Sequence, residues 1–154
     1  MQTLEEFADM YRVHVRRDGC GNAIIPGKRF ARSLDTDTKR LGKGIRTEYA
    51  SHIYDNGDGQ FVMCLMFDSP KKWGNAKRKA EAAGFVIKMD CVSTGVRPFY
   101  DTYGEGLALF DPSDKTQARL ALKLTGARRK RQMVPEAKAA LIARLALARA
   151  AQEA

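Results

Sequence analysis

The sequence predicts an α+β domain: a four-stranded antiparallel sheet in ββαββα order, with helices on one side. An N-terminal helix precedes it and a C-terminal helical extension follows it. Three observations carry this expectation. Asn56-Gly57 sits between two β-prone segments, a strong hairpin signal because both residues tolerate positive φ. Ser69-Pro70 supplies an N-cap and a proline at the first helical position, and Gly84 closes the helix that follows. The succession strand, strand, helix then recurs before Gly126.

In chain order, Thr3 and Glu6 form a capping box for a short helix through Tyr11, with Leu4, Phe7 and Tyr11 on one face. Ile24-Ile25-Pro26-Gly27 reads as a brief extended piece ended by a turn. The stretch 28–46, rich in Gly, Lys and Arg, reads as a basic loop. His52-Ile53-Tyr54 leads through the Asn-Gly turn into Phe61 to Phe67, an apolar run without alternation that suits a central strand covered on both faces. The helix 71–83 places Trp73, Ala76, Ala80 and Ala83 on one face, opposite Lys71, Lys72, Arg78 and Lys79. Residues 85–90 and 106–110 read as the second strand pair. Asp111-Pro112-Ser113-Asp114 starts a helix with Ala118, Ala121, Leu122 and Thr125 along a stripe, and Pro135 opens an Ala-rich helix to about Gln152 with Leu141, Ile142 and Leu145 as an apolar cluster. The expected division is a core domain over 1–126 and a basic helical extension over 127–154.

The chain has 154 residues, 44% of them hydrophobic, which excludes wholesale disorder. No apolar run reaches the roughly 20 residues of a membrane span. Glu5, Glu6 and Asp9 give the first residues the wrong charge for a secretory signal, so a cytoplasmic protein with no membrane partner is expected. Lys and Arg number 27 against 18 Asp and Glu, a net charge of +9. Between Lys115 and Arg149 there are ten Lys or Arg and one acid, Glu136, so the excess is concentrated in the last third. Such clusters neutralise phosphates and release counterions.

The expected nucleic-acid-binding residues are Lys123, Arg128, Arg129, Lys130 and Arg131, joined by Lys71, Lys72, Arg78 and Lys79. Arg97 belongs to a loop in which Phe99, Tyr100 and Tyr103 offer either a stacking platform for unpaired bases or a plug for the sheet end. The simpler account of the charges is a solvated face; their density over one segment favours polyanion binding.

Other chemistries find less support. Cys20, Cys64 and Cys91 are an odd set without CxxC spacing, and with His14 and His52 they match no zinc signature. Cys64 reads as a core residue and Cys20 as exposed. A metal-dependent nuclease would use His52 with Asp55 and Asp58, or Asp90 with Glu105; yet Asp55, Asp58, Asp111 and Asp114 are explained by turns and caps. Gly42-Lys43-Gly44 lacks the P-loop spacing. No cofactor is expected, and the balance is against an enzyme.

Three stretches taken together carry a resemblance: Arg16-Arg17-Asp18-Gly19-Cys20-Gly21 with Ile24 to Arg29, then His52-Ile53-Tyr54-Asp55, then Leu109-Phe110-Asp111-Pro112. They resemble small uncharacterised proteins of bacteriophages and other mobile elements. The resemblance implies a nucleic-acid binder, or an inhibitor of the anti-CRISPR kind that docks on a host defence nucleoprotein complex. It supplies no activity and no catalytic residue. Residues 30–50 and 97–103 look like insertions within that pattern. Non-enzymatic binding of RNA or DNA, as part of a nucleoprotein complex, is the function expected.

Overall fold

The computed structural model describes residues 1–29, 50–94 and 102–153. Helix α1 spans Leu4–Tyr11, and Thr3 and Glu6 form the expected reciprocal cap. The strands are β1 (Arg16–Arg17), β2 (Ala23–Arg29), β3 (Ala50–Asp55), β4 (Phe61–Phe67), β5 (Val86–Thr94) and β6 (Thr102–Phe110). Helix α2 (Pro70–Ala82) lies between β4 and β5; α3 (Lys115–Thr125) and α4 (Pro135–Glu153) follow β6. The molecule is a mixed α+β structure, and every pairing in its sheet is antiparallel.

The described sheet has six strands in the order β1-β2-β3-β4-β6-β5, not four. The two additional strands precede β3: β1 at Arg16–Arg17, and β2, which contains Pro26 and Gly27. Pro26 is tolerated there because β1 pairs only with Ala23 and Ile24, leaving the outer edge of β2 without a partner strand beyond them among the described residues, and because the β2–β3 register shifts between Pro26 and Arg29. Gly27 lies in the strand, where a Cβ would sit 2.1 Å from the Thr125 carbonyl oxygen, so glycine lets the end of α3 approach β2. Lys28 and Arg29 therefore belong to β2; the rest of the expected loop over 28–46 lies outside the described residues. The second strand pair is also longer than expected, and Tyr103 stands in β6 opposite Ser93 rather than in a loop.

Alternation sorts the strand residues onto two faces. Ile25, Ile53, Phe61, Met63, Leu65, Ala108 and Phe110 join Leu4 and Phe7 of α1, Trp73, Ala76 and Ala80 of α2, and Ala118, Ala121 and Leu122 of α3 in one core. Phe7 sits at its centre, 5.2 Å from Phe61 and 6.2 Å from Phe110 between ring centroids. The opposite set includes Tyr54, Val62, Cys64, Leu107 and Leu109, aligned across neighbouring strands. Cys64 is buried as expected, and burial followed by the nearby Glu105 charge pushes its thiol up to about 12. Cys20 is exposed.

Helix α2 is capped by Ser69 with Pro70 in its first turn, and α3 by Asp114, which accepts from Thr116 and Gln117. Helix α4 forms where expected, but Leu141, Ile142 and Leu145 are exposed, as is every described residue from 131 onward. No helix among the described residues is long and apolar enough to cross a membrane.

Candidate nucleic-acid interface

Two helices end side by side and create the basic site. Helix α1 stops at Arg12, which adopts a left-handed conformation (φ 58°) and donates its N–H to the Ala8 and Asp9 carbonyls. Helix α3 stops at Gly126 (φ 69°), which donates to Leu122 and Lys123. The chain beyond each terminus then runs alongside the other. His14 N–H donates to Arg128 O at 3.0 Å, Lys130 N–H donates to Arg12 O at 2.7 Å, and Val13 and Arg129 form an antiparallel bridge. The run Arg128-Arg129-Lys130 is thus hydrogen-bonded to the body of the molecule. The carbonyl ends of both helices converge on it, which favours cations by about 0.3–1 kcal/mol each at an exposed site.

Arg128 and Arg129 line different clefts. One, of 790 Å³, has Arg129 with Lys115, Arg119 and Lys123 of α3, and Met10, Tyr11 and Val13 of the α1 end. The other, of 720 Å³, has Arg128 with His14, Arg16 and Lys28. Gly126 is common to both. Among the described residues no carboxylate lines either one. Among the described residues, Lys130 alone of these basic residues has an ion pair, with Asp9 at 3.7 Å, and both partners are well exposed, so the pair is weak. Arg131 is exposed beside the run.

The expected residues on α2 form a separate group. Lys71, Lys72, Arg78 and Lys79 are all exposed, on a helix packed against β4, β5 and β6. Lys72 is paired with Asp68 at 2.7 Å, and Arg78 donates to the Asn75 side chain. Arg97, Phe99 and Tyr100 lie outside the described residues. The structure brings Lys123 and Arg129 together with Lys115 and Arg119, and Arg128 with Arg16 and Lys28. Arg16, Lys28, Lys115 and Arg119 were not among the expected binding residues. The i, i+4, i+8 spacing of Lys115, Arg119 and Lys123 was a usable signal; the approach of Arg16 and Lys28 to Arg128 was not legible, because it depends on strand pairing.

Of the groups weighed for catalysis, His52 and Asp55 line one cleft, whereas Asp90 and Glu105 do not converge. Asp90 pairs with Gly106 and its neighbour Cys91 with Glu105, so Asp90 and Glu105 project from opposite faces of the sheet. Asp90 accepts from Trp73 Nε1 at 2.7 Å and Lys77 Nζ at 2.5 Å; the lysine first, then the indole, holds its carboxyl below the usual range. Asp55 and Asp58 accept from the backbone of Gly57 and Gln60 in the hairpin turn, at 2.8 and 3.0 Å. His52 is bound through Nδ1 to the Ala50 carbonyl at 2.9 Å. Among the described residues no group of three His, Cys, Asp or Glu is placed to hold a metal ion.

The chain matches no protein-family model, no curated protein and no solved structure.

Proposed function

We propose that the protein binds nucleic acid without catalysis, by seating the phosphate backbone along the basic cleft between the ends of α1 and α3. Lys115, Arg119, Lys123 and Arg129 contact successive phosphates, and Arg128, Lys130 and Arg131 extend the track. The observation that carries this reading is a cleft lined by four cations and no described carboxylate. Charges held apart by a helix and a docked segment repel one another unless a polyanion neutralises them, and counterion release supplies the affinity. Such contacts fix register and orientation without reading sequence. A place in a nucleoprotein complex belongs to the same proposal.

The test is fluorescence anisotropy with labelled single-stranded and duplex oligonucleotides between 50 and 300 mM salt. The expected log–log plot falls linearly, with a slope of about −0.9 per phosphate neutralised on duplex and about −0.7 on single strands. A flat plot would overturn the reading. Two oligonucleotides of scrambled sequence are expected to bind with affinities within about threefold of each other, since no base-reading group is assigned.

A further inference from the structure

The second cleft is lined by an arginine whose Nε is buried. Arg16 is half-buried, its Nε is shielded from solvent, and no acceptor among the described residues takes that N–H. Buried polar groups in folded proteins are nearly always satisfied, and the exceptions call for an explanation. Lys28 and Arg128 line the same cleft, and among the described residues none of the three has an ion-pair partner. Their placement is built into the fold. Arg16 is fixed by the β1–β2 pairing opposite Ile24, and Arg128 by its carbonyl, which accepts from His14. The Lys28 stem lies against Gly126, where a Cβ would fall 2.7 Å from its Cγ.

We infer that this cleft is a seat for a phosphate monoester. A monoester carries close to two negative charges at neutral pH, against one on a bridging phosphodiester, so it is the better match for three converging cations. The acceptor oxygens of such a group match the donors of Arg16, Lys28 and Arg128, which no ion pair among the described residues engages. The cleft volume of 720 Å³ admits a whole nucleotide around that phosphate. Two sources share this chemistry: the terminal phosphate of a nucleic-acid strand, and a free nucleotide. The first makes the protein a reader of strand ends and rests on the nucleic-acid reading above; the second stands without it.

The experiment uses the full chain and three probes. These are a labelled oligonucleotide with a 5′-phosphate, the same oligonucleotide with a 5′-hydroxyl, and adenosine 5′-monophosphate followed by calorimetry. Binding of the phosphorylated strand about tenfold tighter than the hydroxyl strand, a difference of about 1.4 kcal/mol, is the expected result. Arg16→Gln and Lys28→Gln are expected to erase that preference while leaving affinity for the hydroxyl strand unchanged. Lys28 is exposed, so its variant keeps the test valid if Arg16→Gln unfolds, which a thermal melt reveals. No strand preference, but mononucleotide binding that both variants abolish, supports the seat with a free nucleotide as its ligand. Equal binding of the two strands with no mononucleotide binding overturns the seat and leaves the nucleic-acid reading intact. A preference that survives both folded variants overturns this assignment of residues, and failure of all three probes overturns both proposals.

Discussion

Asp90 is the residue where charge, hydrogen bonding and packing meet. Its carboxylate ties β5 to α2 through the buried Trp73 indole and through Lys77, which also lies 3.8 Å from Glu81. The shared hydrogen bond first, and the Asp90 charge with it, raises the Lys77 pKa while the Asp90 pKa is lowered. A carboxylate with a lowered folded pKa stabilises the protein above its unfolded value near 4, and that contribution is lost as pH falls through the folded value. Asp90→Asn keeps an acceptor for the indole but removes the charge. It is therefore expected to melt below the parent protein at pH 7, with the difference shrinking toward zero as pH is lowered to 3. A difference that stays constant over this range would show that the charge contributes nothing. Nothing in the sequence marked this contact: Asp90 and Trp73 meet only because α2 crosses β5 and β6. The caps were legible, by contrast, since Thr3, Ser69 and Asp114 each act on a backbone N–H within three residues.

At the scale of elements, the fit of α2 on the sheet depends on two glycines in β6. A Cβ at Gly106 would lie 2.1 Å from Trp73 Cζ2 and 2.6 Å from the Met89 carbonyl oxygen, and one at Gly104 would lie 2.5 Å from Trp73 Cβ. Gly106→Ala is expected to destabilise the fold by about 2–3 kcal/mol, measured by urea denaturation, because the indole has nowhere to move. In the Trp73→Phe background the penalty is expected to fall by at least about 1 kcal/mol, since contacting residues couple in a double-mutant cycle. Helix α4 obeys a different logic. Its alanines favour helix, and its 19 residues exceed the roughly 12–15 below which isolated helices are marginal, so it forms with no buried residue. Deletion of 135–154 is expected to leave the melting temperature within about 2 °C of the parent, because no packing of the core is removed. A drop of 8 °C or more would mean that α4 covers part of the domain. The mixed α+β class was visible in the sequence because each turn signal between β3 and α3 is local, but the four-strand count was not right. Strand β1 was not visible, because a two-residue strand has no periodicity, and of β2 only a brief extended piece at Ile24-Ile25 was legible, because Pro26-Gly27 carries the signature of a turn.

Over the whole molecule the charge is sorted as well as unbalanced. Glu5, Asp18 and Asp55 line one cleft of 520 Å³, while among the described residues no carboxylate lines the two clefts at Gly126. The sequence located the excess in the last third; the fold adds Arg16 and Lys28 from the first 30 residues and separates the α2 lysines from the rest. That separation supports a ranking among the proposed contacts. Lys115, Arg119, Lys123 and Arg129 share one cleft without described counter-charges, whereas on α2 Lys72 is engaged by Asp68 and Arg78 by Asn75. A cation already paired releases less when a phosphate arrives, because its own partner must first be displaced. Neutralising Arg119, Lys123 and Arg129 together to Gln is expected to flatten the salt-dependence slope on duplex by about 2–3 and to weaken binding equally for all sequences. Neutralising Lys71, Lys72, Arg78 and Lys79 to Gln, a larger change in net charge, is expected to alter the slope by about 1 or less. If affinity tracks net charge alone, the four-site variant will be the weaker binder, and the localised interface proposed here is wrong.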